Sequence, residues 1–147
     1  MTQSYASADQ MNMPFTGTKI ALLIHEQIIT LLRDDRPDIP YPGYWDLPGG
    51  GRETGETPVQ CMQRETREEV GLVVPDDVIC WARRFVVGAQ QSWFFVAHMP
   101  RGTENHVRFG NEGQGWKLMQ VEDFLHHPKA VPEFQERLRI FLKEARK

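Results

Sequence analysis

The sequence predicts an α+β protein, a mixed β-sheet with helices packed on it. Three observations carry that class. Runs rich in β-branched and aromatic residues lie on both sides of one sharply delimited helix, Thr57 to Gly71. A second helical stripe follows Val131, and no internal repeat or low-complexity stretch points to stacked units instead. The 147 residues make one domain's worth of chain.

Met1 to Thr18 is polar and aperiodic and reads as a flexible leader, which leaves residues 19–147 as the single domain. Lys19 to His25 and Gln27 to Arg33 form a hairpin pattern, although the turn lacks the favoured Asn-Gly or Asp-Gly pair. Asp34 to Gly43 holds three prolines and is a loop. Trp45 to Gly51 is a short strand at most before its glycines free the backbone. The helix that follows has local marks at both ends. Thr57 and Gln60 form a capping box, Pro58 takes the first helical position, and Gly71 closes the end. Val59, Met62, Thr66 and Val70 share one side and give it a face to bury. Val78 to Val87, Ser92 to Met99 and Gly115 to Gln120 are further strands, and Val121 to His126 is a short helix or turn. Val131 to Lys147 carries Phe134, Leu138, Phe141 and Leu142 at helical spacing, with a basic end that suits the dipole.

Seventeen Lys and Arg against twenty Asp and Glu give a net charge of -3. That excludes a strongly basic, electrostatically driven nucleic-acid binder, and no nucleic-acid partner is expected. The apolar run from Ile20 to Ile24 is far too short to span a bilayer, and no secretory signal precedes it. Cys61 and Cys80 do not make a disulfide framework. A cytoplasmic protein with reduced thiols and no membrane partner is the expectation; composition leaves the oligomeric state open.

The chemistry is concentrated between Gly50 and Leu72, GGRETGETPVQCMQRETREEVGL. Glu65, Glu68 and Glu69 lie three and four residues apart and share about a hundred degrees of helix arc. Carboxylates at this spacing repel one another, and Glu68 and Glu69 also sit at the negative end of the helix dipole. A hard divalent ion with oxygen ligands, Mg²⁺ or Mn²⁺, would neutralise them. A solvated charged face with Arg64 and Glu68 paired at i,i+4 is the alternative. Gly49 to Gly51 directly precede the helix, with backbone groups free to meet phosphate or metal.

Here the sequence resembles a known family. Gly50, five residues, Glu56, seven residues, then Arg64-Glu65, Glu68-Glu69 and Gly71-Leu72 look like the Nudix box. A chance match of every fixed identity somewhere in this chain is on the order of one in a million. Thr66 departs from the usual aliphatic residue, and Trp45 to Gly50 (WDLPGG) is similar to the family's lead-in. The resemblance covers roughly Lys19 to Leu142 and implies an α/β/α sandwich around a mixed sheet. It implies hydrolysis of a nucleoside diphosphate linked to another group, with Mg²⁺ or Mn²⁺ as cofactor and a small-molecule nucleotide as partner. By position it makes Glu65, Glu68 and Glu69 metal ligands, with Glu65 also a candidate to activate water. The Gly49 carbonyl would be a further ligand, Arg64 and Glu56 would orient the carboxylates, and Gly50 and Gly51 would meet substrate. Gly110 to Gln114 (GNEGQ) resembles the MutT-like segment that supplies an extra metal-binding glutamate, here Glu112. Arg33, at the end of the second strand, is either a phosphate contact or an exposed strand-end arginine.

Other candidates carry less. The histidines lack metal-ligand spacing, Cys61 has no His or Cys partner for a catalytic thiol, and Trp45, Trp93, Phe94, Phe95 and Trp116 read mainly as core. The leading expectation is metal-dependent hydrolysis of nucleoside di- or triphosphate derivatives. The alternatives are a sugar-nucleotide or dinucleotide pyrophosphatase and a non-catalytic nucleotide-binding module. Gly88, Ala89 and Gln90 occupy the region where ADP-ribose enzymes of the family show proline and diadenosine polyphosphate enzymes tyrosine. Val131 falls at or near the asparagine with which MutT-like enzymes read an oxidised purine, so a dedicated 8-oxo-dGTP enzyme is not expected.

Overall fold

The computed structural model describes residues 6–146; the first five residues of the expected leader and Lys147 lie outside the described residues. The rest of the leader is built into the fold. Ser7 caps one helical turn, α1 (Ala8–Met11), and Phe15 is buried. Strand β1 (Gly17–Ile24) begins two residues before the expected boundary at Lys19, because Gly17 and Thr18 already pair with the strands on either side. It turns into β2 (Gln27–Leu32) through His25, which takes the left-handed conformation at φ 57° in place of a glycine.

The Trp45 to Gly51 segment divides into two short strands, β3 (Trp45–Asp46) and β4 (Gly49–Gly51). Helix α2 (Pro58–Val70) has the expected capping box, and Gly71 ends it in the left-handed region. After a 3₁₀ turn at Asp76–Val78 come β5 (Ile79–Val87) and β6 (Gln90–His98). Strand β7 (Gly115–Gln120) then leads into α3 (Val121–His126) and α4 (Pro132–Ala145).

The sheet is mixed, in the order β3-β2-β1-β6-β5, with β4 also on β1 and β7 also on β2. Its decisive feature is a fork. β1 and β2 pair only next to their turn, at Leu23↔Ile28 and Ile24↔Gln27, and then separate. The β3–β4 segment fills the gap, pairing Leu31↔Asp46 on one arm and Lys19↔Gly49 on the other. β1 is parallel to β6 along Gly17 to Leu23. Alternate side chains of β1 supply two cores. Ile20, Leu22 and Ile24 pack under α2 with Val59, Met62 and Val70. Ala21 and Leu23 pack under α3 and α4 with Phe94, Val96, Leu138 and Phe141. The result is the α/β/α sandwich that the resemblance implies. Trp93, Phe94 and Phe95 are wholly buried, as core aromatics should be. Among the described residues no helix is long and apolar enough to cross a membrane.

Candidate active site

The fork fixes where the chemistry sits. β4 lies against the start of β1 and beneath α2, so its glycines come within contact of the helix carboxylates. At Gly50 a Cβ would stand 2.1 Å from Glu65 Oε2, so no larger residue fits without moving the carboxylate. The N–H of Gly49 donates to Glu69 Oε1 at 2.6 Å. The Gly49 carbonyl, the expected metal ligand, accepts from Lys19 Nζ at 3.5 Å. Cys61 is buried below, where its thiol donates to the Gly50 carbonyl at 3.7 Å and burial pushes its pKa up. That is an inert, packed thiol.

Arg64 organises one half of the site. Its Nε and Nη2 grip Glu56 at 2.6 and 3.1 Å, its Nη1 donates to Glu65 and Glu68 at 2.7 Å each, and Nη2 also reaches the Gly51 carbonyl at 2.8 Å. Every donor of the guanidinium fork is engaged. These bonds hold Glu56 below the usual carboxylate range and raise the pKa of Arg64. Arg64 thus touches Glu65 and Glu68 directly, and Glu56 meets them through Arg64.

Glu69 is set apart. Half-buried, it has its pKa pushed up to about 7, first by desolvation and further by Glu65 and Asp46, while Lys19 and the Gly49 N–H oppose the shift. It lines a cavity of about 410 Å³ together with Arg33, Asp46, Asn111 and Glu112. Glu112 arrives there because the loop before β7 docks on the end of α2. The N–H groups of Arg108 and Gly110 donate to the carbonyls of Val70 and Glu69 at 2.8 and 2.9 Å, and a Cβ on Gly110 would lie 2.5 Å from the Glu68 carbonyl oxygen. Glu69, Glu112 and Arg33 thus share one cavity, while Glu65 and Glu68 are drawn onto Arg64. No three His, Cys, Asp or Glu side chains among the described residues are gathered as a ready ligand set.

At this site the sequence reading missed the roles of Asp46 and Lys19. Buried Asp46 binds Lys19 Nζ at 3.1 Å and Arg33 Nη1 at 2.8 Å, joining the two arms of the fork. Arg33 also donates to the Pro40 carbonyl at 2.9 Å, which curls the Pro-rich loop over the cavity. Asp46 lay inside the WDLPGG segment, where a charge within an apolar strand was the available signal. Thr66, the departure from the box, is fully buried, and its hydroxyl has no partner among the described residues. It keeps the apolar face of α2 intact.

A loop–helix–loop of this build, with its carboxylates over a glycine strand of a mixed sheet, defines a class. The chain belongs to the Nudix hydrolase family: the NUDIX domain model matches residues 16–140. Among curated relatives it is 36% identical over 88 residues to an RNA pyrophosphohydrolase of Aeromonas hydrophila subsp. hydrophila, covering 47% of this chain and 49% of that protein. An RNA pyrophosphohydrolase of Xanthomonas axonopodis pv. citri is 36% identical over 97 residues, covering 61% of this chain and 43% of that one. The chain thus spans about half the length of the curated relatives it matches. Among solved structures, a MutT protein from Methanosarcina mazei Go1 aligns with TM-score 0.72 at 19% identity, over 92% of this chain and 99% of its own. A bifunctional NMN adenylyltransferase/ADP ribose pyrophosphatase from Francisella tularensis, complexed with AMP and a Mn ion, aligns with TM-score 0.74 at 16% identity, over 89% of this chain and 42% of its own. At these identities the structural likeness is one of fold.

Proposed function

We propose that this chain hydrolyses the pyrophosphate linkage of nucleoside di- and triphosphate derivatives, with Mg²⁺ or Mn²⁺ as cofactor. The observation that carries the reading is Glu69. A half-buried carboxylate, crowded by Glu65 and Asp46 and opening on a cavity shared with Glu112 and Arg33, is a site short of positive charge. The donors around it are carboxylate and carbonyl oxygens, the set that hard divalent ions take. Glu65, Glu68 and Glu69 would hold the metal, with Glu112 and the Gly49 carbonyl as further ligands. Bound there, the ion would neutralise phosphate charge and lower the pKa of a water.

The protein's own groups supply the rest. Arg64 and Glu56 hold Glu65 and Glu68 at fixed positions against the glycine strand, which keeps the carboxylates pre-organised. Glu65 accepts the proton of the attacking water. Arg33, anchored on Asp46, presents its remaining donor surface to a phosphate in the cavity. Gly50 and Gly51 let the substrate's phosphates approach the backbone closely.

The names of the two relatives favour a second reading, in which the triphosphate belongs to the 5′ end of an RNA. A net charge of -3 gives no general attraction for a phosphate backbone, so the mononucleotide comes first. The test is a panel of nucleoside triphosphates, ADP-ribose, a sugar nucleotide, a dinucleoside polyphosphate and a 5′-triphosphate RNA, with Mg²⁺ or Mn²⁺ and product masses as the readout. Cleavage within a pyrophosphate linkage is expected. Binding without cleavage of any of them would leave a non-catalytic nucleotide-binding module.

A further inference from the structure

On the opposite face of the sheet, a cavity of about 380 Å³ opens between β1, β4, β6 and the first turns of α4. The backbone of Gly50 and Gly51 forms part of its wall, with Val87 and Phe134. Glu65 touches Gly50 from the far side and Arg64 holds the Gly51 carbonyl, so this cavity and the glutamates share one strand.

Arg137 is set into this cavity and has no part in the chemistry above. It is 6% exposed. Its guanidinium carbon lies 4.5 Å from the ring centre of Phe85 and 5.8 Å from that of Phe134. Among the described residues it donates one hydrogen bond, from Nη1 to Ser92 Oγ at 3.3 Å. Its Nη2 stands 3.8 Å from Glu133 Oε2, too far for a hydrogen bond. Burial pushes its pKa down, with Glu133 opposing. A buried guanidinium with most of its donors uncommitted costs the fold stability. Phe85 and Phe134 flank the guanidinium, and the cavity wall mixes Val87 and Phe134 with the polar side chains of Thr18, Gln90 and Ser92 and with Lys19. That lining can take a flat heterocycle with polar edges. Glu133 lies beside Arg137 at 3.8 Å, and Lys19, the other cation of the lining, is already engaged by Asp46.

We infer that this cavity is the nucleobase site and that it selects guanine, with Arg137 donating paired hydrogen bonds to O6 and N7. Of adenine and guanine, only guanine presents two adjacent acceptors, the partner a guanidinium fork meets best. Glu133 is an acceptor for the N–H groups that guanine carries beside O6. Phe134, with Lys19 Nζ 5.5 Å from its ring centre, lines the cavity beside Arg137 and adds aromatic surface for the ring to pack on. The inference rests on the nucleotide reading of the substrate, and binding can be read without turnover.

The experiment is calorimetric titration of the wild-type protein with GDP, ADP and 7-deaza-GDP, without divalent metal so that nothing is hydrolysed. GDP is expected to bind roughly five- to a hundredfold more tightly than ADP. In 7-deaza-GDP a carbon replaces N7, and most of that advantage should be lost. Arg137→Lys, which keeps the charge and loses the fork, should bring GDP to the affinity of ADP and leave ADP unchanged. Should that variant not fold, the 7-deaza comparison on wild type decides alone. Equal affinities for GDP and ADP, full affinity for 7-deaza-GDP, or no binding of GDP at millimolar concentration would each overturn the guanine site. A GDP preference without hydrolysis of any nucleotide would sustain it and sink only the hydrolase reading.

Discussion

Two arginines, one on each face of the sheet, show how differently the same side chain can be used. Arg64 on α2 has every donor matched by Glu56, Glu65, Glu68 or the Gly51 carbonyl, and those partners raise its pKa. Arg137 on α4 is more deeply buried, lies against Phe85, makes one long hydrogen bond, and has its pKa pushed down. A guanidinium whose donors are all committed acts as a strut, and its energy is realised in the folded protein. One that is buried and uncommitted gains its partners from outside. The acidic half of the site is thus built to hold a fixed geometry, and the aromatic cavity behind it to read a ligand.

The largest effect should come from the carboxylates proposed to hold the metal. Glu68→Gln and Glu69→Gln are each expected to lower kcat by at least about a hundredfold with the fold intact, since each removes a ligand charge. Near-normal turnover in both variants, measured with saturating Mg²⁺ and with Mn²⁺, would break the assignment of that half.

Next is the contrast of the two arginines themselves. Arg64→Met leaves three carboxylates without their common partner and should cost about 1–3 kcal/mol, discounted for the partial exposure of Arg64. Arg137→Met replaces a buried guanidinium, held by one hydrogen bond and a long ion pair to Glu133, by an apolar chain of similar length and should stay within about 1 kcal/mol of wild type. Urea unfolding midpoints compare them directly. If Arg137→Met costs as much as Arg64→Met, then Arg137 is a strut as well.

Glu69 gives a pH signature on the same axis. Its folded pKa of about 7 lies above the ordinary 4.5, so the fold favours the protonated form. That disadvantage of the ionised form is absent below pH 4.5, develops between 4.5 and 7, and is complete above 7. Metal-free protein should therefore lose stability across that interval, and Glu69→Gln should lose less. Mg²⁺ or Mn²⁺ should restore wild-type Tm at pH 8 and do little for the variant. An unchanged wild-type Tm between pH 4.5 and 7 in the absence of metal would contradict it.

The two halves were not equally legible in the sequence. Everything on α2 is local: the Thr57 cap, Pro58, the carboxylate spacing and the closing Gly71 act within a few residues, and the helix is found over Pro58–Val70. The GNEGQ segment is short and local too, and the loop places its Glu112 in the cavity of Glu69. The fork was not legible, because it depends on β1 and β2 parting after two residue pairs, which no periodicity reports. Lys19 and Asp46, which bridge the fork, were missed for that reason. Arg137 was hidden differently. It falls on the apolar stripe of α4 between Phe134 and Leu138, and a cation on such a stripe was the signal to follow. The resemblance to a family pointed to the acidic half, where every member of the box must agree, and said nothing about the other cavity.

The smallest effect expected is the discrimination between a normal and an oxidised guanine. Val131 is buried at the start of α4, where its N–H donates to the Trp45 carbonyl at 3.0 Å, so its side chain can pack but offers no hydrogen bond to a base. The polar residues that could have replaced it are elsewhere. Asn111 lines the cavity of Glu69, and the Gln114 amide donates to the Arg33 carbonyl at 2.8 Å. Oxidation at C8 converts N7 from an acceptor into an N–H donor, which faces the donors of Arg137 instead of complementing them. At the position of Arg137 that change works against the oxidised base. Apolar packing alone contributes no more than about a hundredfold, whereas buried polar readers reach roughly ten-thousandfold. The ratio of kcat/KM for 8-oxo-dGTP to that for dGTP should therefore lie at or below about one. A preference for 8-oxo-dGTP beyond about a thousandfold would mean that a polar group other than Arg137 reads the base, and would move the base site away from Arg137.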